Sequence, residues 1–318
     1  MKRKSKMASK IIIIVLIVLC VLLLIAFINH RIKTESEKSL LNPIGQLVEV
    51  DGKNMCVYTE GEGEKTLVFL SGGGTPSPIL DFKSLYSQLT DEYKIAVVEK
   101  FGYGFSDDSD RSRDIDTMLE DTRKALSEAG VEAPYVLCPH SLSGLEAIYW
   151  AQKYPDEVEA IIGLDMAAPE YYTDLHIGAG GLKLNQVLGE MGLARLVSGS
   201  VNVLYENSQL TEKELSIIKA IYSRRCVSDA LVNEGKMCRE NAKIISEGGM
   251  PQVPVLMFIS NGDGINYDKK AWVETSVSYA ESLENGEYIQ LDCPHYIHNS
   301  EYMRIADEIK QFLGEANE

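Results

Sequence analysis

The sequence predicts an α/β fold built on an open, mostly parallel sheet. Three observations carry this expectation. From Gly45 onward, short β-rich runs alternate with longer amphipathic segments. Residues 66–70, Thr-Leu-Val-Phe-Leu, are almost continuously apolar, as a strand covered on both faces must be. The alternation stops after Ala168 and resumes at Val253, with only helical patterns between, so the sheet is expected to carry a helical insertion over about residues 168–250. With 318 residues, 45% hydrophobic and 25% charged, the chain can bury one large core or two modest ones, which argues against disorder.

The chain opens with a basic segment, residues 1–10, followed by an unbroken apolar run over residues 11–28. At the helical rise this run spans roughly 27 Å, close to the hydrocarbon thickness of a bilayer. It is longer than the apolar part of a secretory signal, and Phe27-Ile28-Asn29-His30 offers no pair of small residues for cleavage, so an uncleaved transmembrane anchor is expected. Lys2, Arg3, Lys4, Lys6 and Lys10 precede it and only Arg31 and Lys33 follow closely. The positive-inside rule then places the N-terminus in the cytoplasm and the body outside the cell membrane. Residues 29–44, polar and ending near Asn42-Pro43, read as a stalk before a folded unit over 45–318.

Within that unit, residues 48–50 and 55–58 around Asp51-Gly52 read as a hairpin. After strand 66–70, Ser77 and Pro78 start a helix expected to reach Leu89. Strand 94–98, helix 114–129 stopped by Gly130, strand 135–138, helix 142–153 and strand 158–164 follow. The insertion holds helical patterns at 182–197, 211–222 and 227–246. Strand 253–260, helix 269–283, strand 287–291 and helix 300–313 complete the chain.

All 47 acidic residues lie beyond Lys33, where the basic residues are fewer, so the body is strongly negative. That surface repels phosphate backbones and disfavours a nucleic-acid partner. Six cysteines, at 20, 56, 138, 226, 238 and 293, form no Cys-x-x-Cys pairs and suit neither a zinc framework nor a disulfide scaffold. Most are expected as buried thiols, and Cys226 and Cys238 are the nearby pair that a helical hairpin could bring together.

The chemistry-bearing residues cluster after the strands. Strand 135–138 runs into Pro139-His140-Ser141-Leu142-Ser143-Gly144 and then a helix, the context in which a tight turn thrusts a serine outward. Here the chain resembles the α/β-hydrolase family, whose Gly-x-Ser-x-Gly has Pro139 and Ser143 in place of its two glycines. Further segments match in the family's order. Ser71-Gly72-Gly73-Gly74 stands where the family has its oxyanion loop, so the resemblance assigns the N–H groups of Gly73 and Leu142 as oxyanion donors. The same glycine run lacks the Gly-Lys-Ser/Thr ending of a phosphate-binding loop. Phe101-Gly102-Tyr103-Gly104-Phe105-Ser106-Asp107 resembles the family's Gly-x-Gly-x-Ser-Asp loop, with a structural role, shaping one wall of the pocket, expected.

A serine hydroxyl needs a base, and the base needs a carboxylate. Of five histidines, His30 is at the membrane edge, His176 is in the insertion and His140 is beside the serine. His295, in Asp292-Cys293-Pro294-His295-Tyr296 after the last strand, takes the catalytic place by the resemblance, with His298 as fallback. Asp263, after the strand ending near Ser260, takes the acid's place, with Asp165 at the end of the preceding strand as runner-up. The resemblance thus implies a Ser141, Asp263, His295 triad acting on a small-molecule ester or amide, with no metal or organic cofactor. Serine rather than aspartate at 141 separates the chain from the dehalogenase and epoxide-hydrolase branches. A simple ester, a lipid ester or an aminoacyl amide, the last as in proline-iminopeptidase-like relatives, all stay open. So does a non-catalytic binding role on the same scaffold. The insertion, with Tyr171, Tyr172, Tyr205 and Tyr222, is expected to cap the sheet.

Overall fold

The structure, a computed structural model, describes residues 2–175, 177–265 and 268–315. His176 of the insertion and the last three residues of the chain lie outside these. The strands are β1 (Gln46–Val50), β2 (Lys53–Glu60), β3 (Thr66–Leu70), β4 (Lys94–Glu99), β5 (Tyr135–Pro139), β6 (Val158–Leu164), β7 (Val255–Ile259) and β8 (Gly286–Gln290). They form one sheet in the order β1-β2-β4-β3-β5-β6-β7-β8. The pairs β1–β2 and β2–β4 are antiparallel and the others parallel. β3, β5 and β7 are buried along their whole length, which is why they read as unbroken apolar runs. The β1–β2 turn places Asp51 and Gly52 at φ 52° and 76°, the left-handed pair that a two-residue hairpin loop requires.

The helices are α1 (Lys2–Ser36), α2 (Pro78–Asp81), α3 (Lys83–Tyr86), α4 (Ile115–Glu128), α5 (Gly144–Lys153), α6 (Pro169–Thr173), α7 (Ala179–Glu190), α8 (Ala194–Val197), α9 (Val201–Leu204), α10 (Glu212–Arg224), α11 (Asp229–Glu247), α12 (Lys269–Ser282), α13 (Ile297–Ser300) and α14 (Tyr302–Glu315). The segment predicted as one helix from Ser77 to Leu89 is instead the two short helices α2 and α3, with Phe82 between them. α4 begins where Asp114 accepts a hydrogen bond from the Thr117 N–H, and α10 begins with a Thr211–Glu214 capping box.

α6 to α11 form the insertion between β6 and β7, and α11 holds it to the sheet. The α11 N–H groups of Asp229 and Ala230 donate to the Asp108 carboxylate at 2.9 and 3.0 Å. Further along, Glu234 receives the Lys100 ammonium at 2.8 Å and the Tyr103 hydroxyl at 2.7 Å, all three buried. Asn241 then accepts from the Ile115 N–H and donates to the Arg113 carbonyl, both at 3.0 Å. All six cysteines are free thiols, so Cys226 and Cys238 are not bridged. Over Ser9–Ser36, α1 is long and apolar enough to cross a membrane, and its most apolar stretch is not buried by the rest of the chain.

Candidate active site

Sheet order creates the site. β3 lies between β4 and β5, so the chain leaves β3 first to one side and then to the other. A crevice opens above the strand ends at such a switch point. The loop after β3 and the turn after β5 both reach it.

At the turn, Ser141 adopts φ 54°, left-handed backbone that costs a non-glycine residue on the order of 1–2 kcal/mol. The strain is held from several sides. The Ser141 N–H donates to the Asp165 carbonyl at 3.2 Å, and the Ser141 carbonyl accepts from the Ala167 N–H at 2.8 Å. Neighbouring positions need minimal side chains. A Cβ on Gly72 would stand 2.8 Å from the Ser141 Cβ, and one on Gly144 would stand 2.5 Å from the Ala167 carbonyl oxygen. Ser143, where the family has glycine, is accommodated by use of its hydroxyl, which lies 2.6 Å from the Leu70 carbonyl and 2.9 Å from that of His140.

His295 follows β8 and is buried, with its Nδ1 2.5 Å from Asp165 Oδ2. The other Asp165 oxygen accepts from the Ser260 N–H at 2.9 Å and the Trp272 Nε1–H at 3.1 Å. The Trp272 ring also stands edge-on to the His295 imidazole, 5.3 Å between centroids. Asp263 is placed otherwise. Its carbonyl oxygen accepts from the His295 N–H at 2.8 Å, but its carboxylate is exposed and receives Lys269 Nζ at 2.8 Å. The cause is local: Gly262 and Gly264, at φ 82° and 92°, form a turn that presents main chain to His295 and side chain to solvent. The runner-up Asp165, not Asp263, is therefore the carboxylate beside the imidazole.

His298, the fallback, is not among the residues lining the cavity that Ser141 and His295 share; its Nε2 lies 3.0 Å from Asp81 Oδ2 with both groups buried. His140 sits between the two histidines, its Nε2 3.2 Å from the His295 carbonyl oxygen. Burial, with His295 and His298 alongside, holds the His140 imidazole well below the usual histidine range, so it packs as a neutral ring. By residue type and spacing, Asp81, His140 and His298 are the group among the described residues that could hold a cation, their ligand atoms lying within 4.8 Å of one another. Each already engages a protein partner through the bonds just given.

Ser141, Leu142, Gly73 and His295 all line one cavity of about 300 Å³. Gly73 is adjacent to Leu142: a Cβ there would lie 3.1 Å from Leu142 Cδ2. The Gly74 N–H donates to the Tyr103 hydroxyl at 3.2 Å, and this hydroxyl in turn donates to Glu234 of α11, linking the glycine loop to the insertion. The insertion supplies the roof, with Tyr171, Tyr172, Ile177, Leu182 and Leu231. Tyr205 and Tyr222 lie elsewhere, packed with Leu80, Ile218 and Ile221 in a separate apolar cluster. The loop 101–107 braces the site from behind and is not a wall of the cavity, whose lining residues include none of its own. Gly104 leaves room for the buried Glu99 carboxylate, which accepts from the Phe105 N–H at 2.6 Å.

Strand order, elbow and helical insertion together define an α/β-hydrolase fold. Solved structures agree. The enol-lactonase from Burkholderia xenovorans LB400 superposes with a TM-score of 0.64 at 15% identity, covering 85% of this chain and 100% of that one. The epoxide hydrolase VrEH1 from Vigna radiata gives 0.66 at 17% identity, covering 85% and 97%. The chain is 40% identical over 251 residues to the uncharacterised protein YbdG of Bacillus subtilis (strain 168), a match spanning 77% of each, and it belongs to the same family. No family model matches the sequence.

Proposed function

We propose that this chain is a membrane-anchored serine hydrolase that cleaves a carboxylic ester or amide through an acyl-enzyme on Ser141. The observation that carries the reading is the buried Asp165–His295 pair, facing one cavity with a serine held in strained backbone. Asp165 fixes the imidazole with Nδ1 protonated, leaving Nε2 to take the Ser141 proton as the hydroxyl oxygen attacks the substrate carbonyl. The N–H groups of Gly73 and Leu142 receive the developing oxyanion. The protonated imidazole then gives its proton to the leaving group, and His295 activates water to release the acid and restore the serine.

The cavity walls bear on substrate. Tyr171, Tyr172, Leu182, Leu231 and Trp272 favour an apolar acyl group. Among the described lining residues no Asp or Glu is present to receive a free amine, which favours an ester over an aminoacyl amide. The basic residues ahead of the apolar run 11–28 and the hydropathy of the Ser9–Ser36 stretch of α1 support an anchor with the N-terminus inside and the body outside.

Rates against p-nitrophenyl esters of increasing chain length and against aminoacyl amides, for wild type and Ser141→Ala, test the proposal. The wild type should favour esters, and the variant should lose roughly 10⁴-fold or more in kcat. Equal rates for the two proteins would reject a serine nucleophile.

A further inference from the structure

The end of α1 is not a loose tether. Gly192, between α7 and α8, is packed against it so closely that a Cβ there would lie 2.5 Å from the His30 Cβ and 2.9 Å from the Ala26 carbonyl oxygen. Three residues on, Arg195 closes a clamp on the last turns of α1 and on Glu37, the residue that follows it. Its two terminal nitrogens reach the two Glu37 carboxylate oxygens, each at 2.8 Å, while Nε donates to His30 Nδ1 at 3.1 Å and Nη2 to Thr34 Oγ1 at 3.2 Å. A bidentate Arg–carboxylate fork fixes orientation as well as distance.

Ala26 belongs to the apolar run that ends at Ile28. The corner of the insertion that touches it is therefore level with the last turn of the proposed span. From this corner the chain continues into α8 and α9, where Leu196 is 77% exposed, Val197 53%, Val203 71% and Leu204 38%. Apolar side chains clustered this way, on a body otherwise rich in carboxylates, mark a contact surface.

We propose that the α8–α9 segment docks into the interfacial layer of the bilayer that α1 crosses, with Leu196, Val197, Val203 and Leu204 among the lipids. The occupant of this surface is the lipid bilayer. The proposal rests on reading α1 as a membrane anchor; given that reading, the Arg195 clamp leaves these side chains beside the point where the helix leaves the membrane. Their burial replaces contact with water by contact with acyl chains.

Tryptophan placed at these positions reports the environment directly. The full chain carrying Leu196→Trp, Val203→Trp or, within the anchor, Leu24→Trp is reconstituted in phosphatidylcholine vesicles with or without brominated acyl chains. The native Trp150 and Trp272 are buried and give a common background. The added emission at 196 and 203 should fall several-fold in brominated vesicles and resist iodide in the buffer. Quenching by brominated lipid at 24, with iodide reaching 196 and 203, would overturn the docking and leave the anchor standing. Absence of lipid quenching at 24 itself would overturn both.

Discussion

At the buried Asp165 both carboxylate oxygens have partners, one taking the Ser260 and Trp272 N–H groups and the other lying 2.5 Å from His295 Nδ1. His295 is held there from several directions: Asp165 at Nδ1, the Trp272 ring edge-on, and the Asp263 carbonyl on its backbone N–H. Asp165→Asn removes the acceptor that selects the productive tautomer, and kcat should drop by about 10⁴-fold. Asp263→Asn alters an exposed carboxylate and should leave kcat within a few-fold of wild type. Steady-state ester kinetics on the two variants checks both, and the reverse ranking would restore Asp263 as the acid. The sequence favours Asp263 over Asp165 by the resemblance alone, because both aspartates follow core strands. The groups that separate them, Ser260 and Trp272, lie 95 and 107 residues from Asp165 along the chain.

Two helices of the insertion, α10 and α11, were legible as patterns, since Thr211 and Ser228 are ordinary capping residues ahead of amphipathic runs, whereas the single helix expected over 182–197 is broken at Gly192 into α7 and α8. What holds α11 in place was not, because one glutamate among many acids carries no mark of burial. Glu234 and Lys100 form an ion pair across 134 residues of chain, with side chains 3% and 2% exposed. Removing Glu234 leaves the Lys100 ammonium with only the Glu146 carboxylate, 3.9 Å away, and the Tyr103 hydroxyl without its acceptor. Glu234→Ala should therefore cost about 3–5 kcal/mol in urea unfolding, whereas the paired change Lys100→Met with Glu234→Met should recover much of it. A loss below about 1 kcal/mol for the single variant would show that the pair is well hydrated. α2 and α3 are the opposite case. The Ser77-Pro78 start was read correctly, but Asp81 is drawn inward to His298, an attraction visible only once the fold brings the two together.

For the molecule as a whole, pH acts through buried carboxyls. Burial pushes the Glu99 carboxyl up to about 7 from its ordinary 4.5. Between those values the folded chain keeps a proton that the unfolded chain releases, so stability from this group is full below pH 4.5 and falls as pH rises through 7. The loss amounts to roughly 3 kcal/mol. In Glu99→Gln that part of the slope disappears, so the difference in Tm between pH 5 and pH 8 should shrink relative to wild type. An unchanged difference would mean that Glu99 is ionised throughout.

The sheet itself was readable from the chain because buried parallel strands admit few residue types, and the loops after them carried the family pattern. The contact of α1 with the insertion through Arg195 was not, since nothing near Gly192 or Arg195 in sequence points toward His30 or Glu37. The central claim is that Ser141 is an activated nucleophile, and covalent capture tests it most directly. After exposure to a fluorophosphonate probe, intact-mass and peptide analysis should find one adduct, on Ser141, abolished by Ser141→Ala and strongly slowed by His295→Ala. A folded wild-type protein that takes no label, or takes it at another serine, would contradict the account.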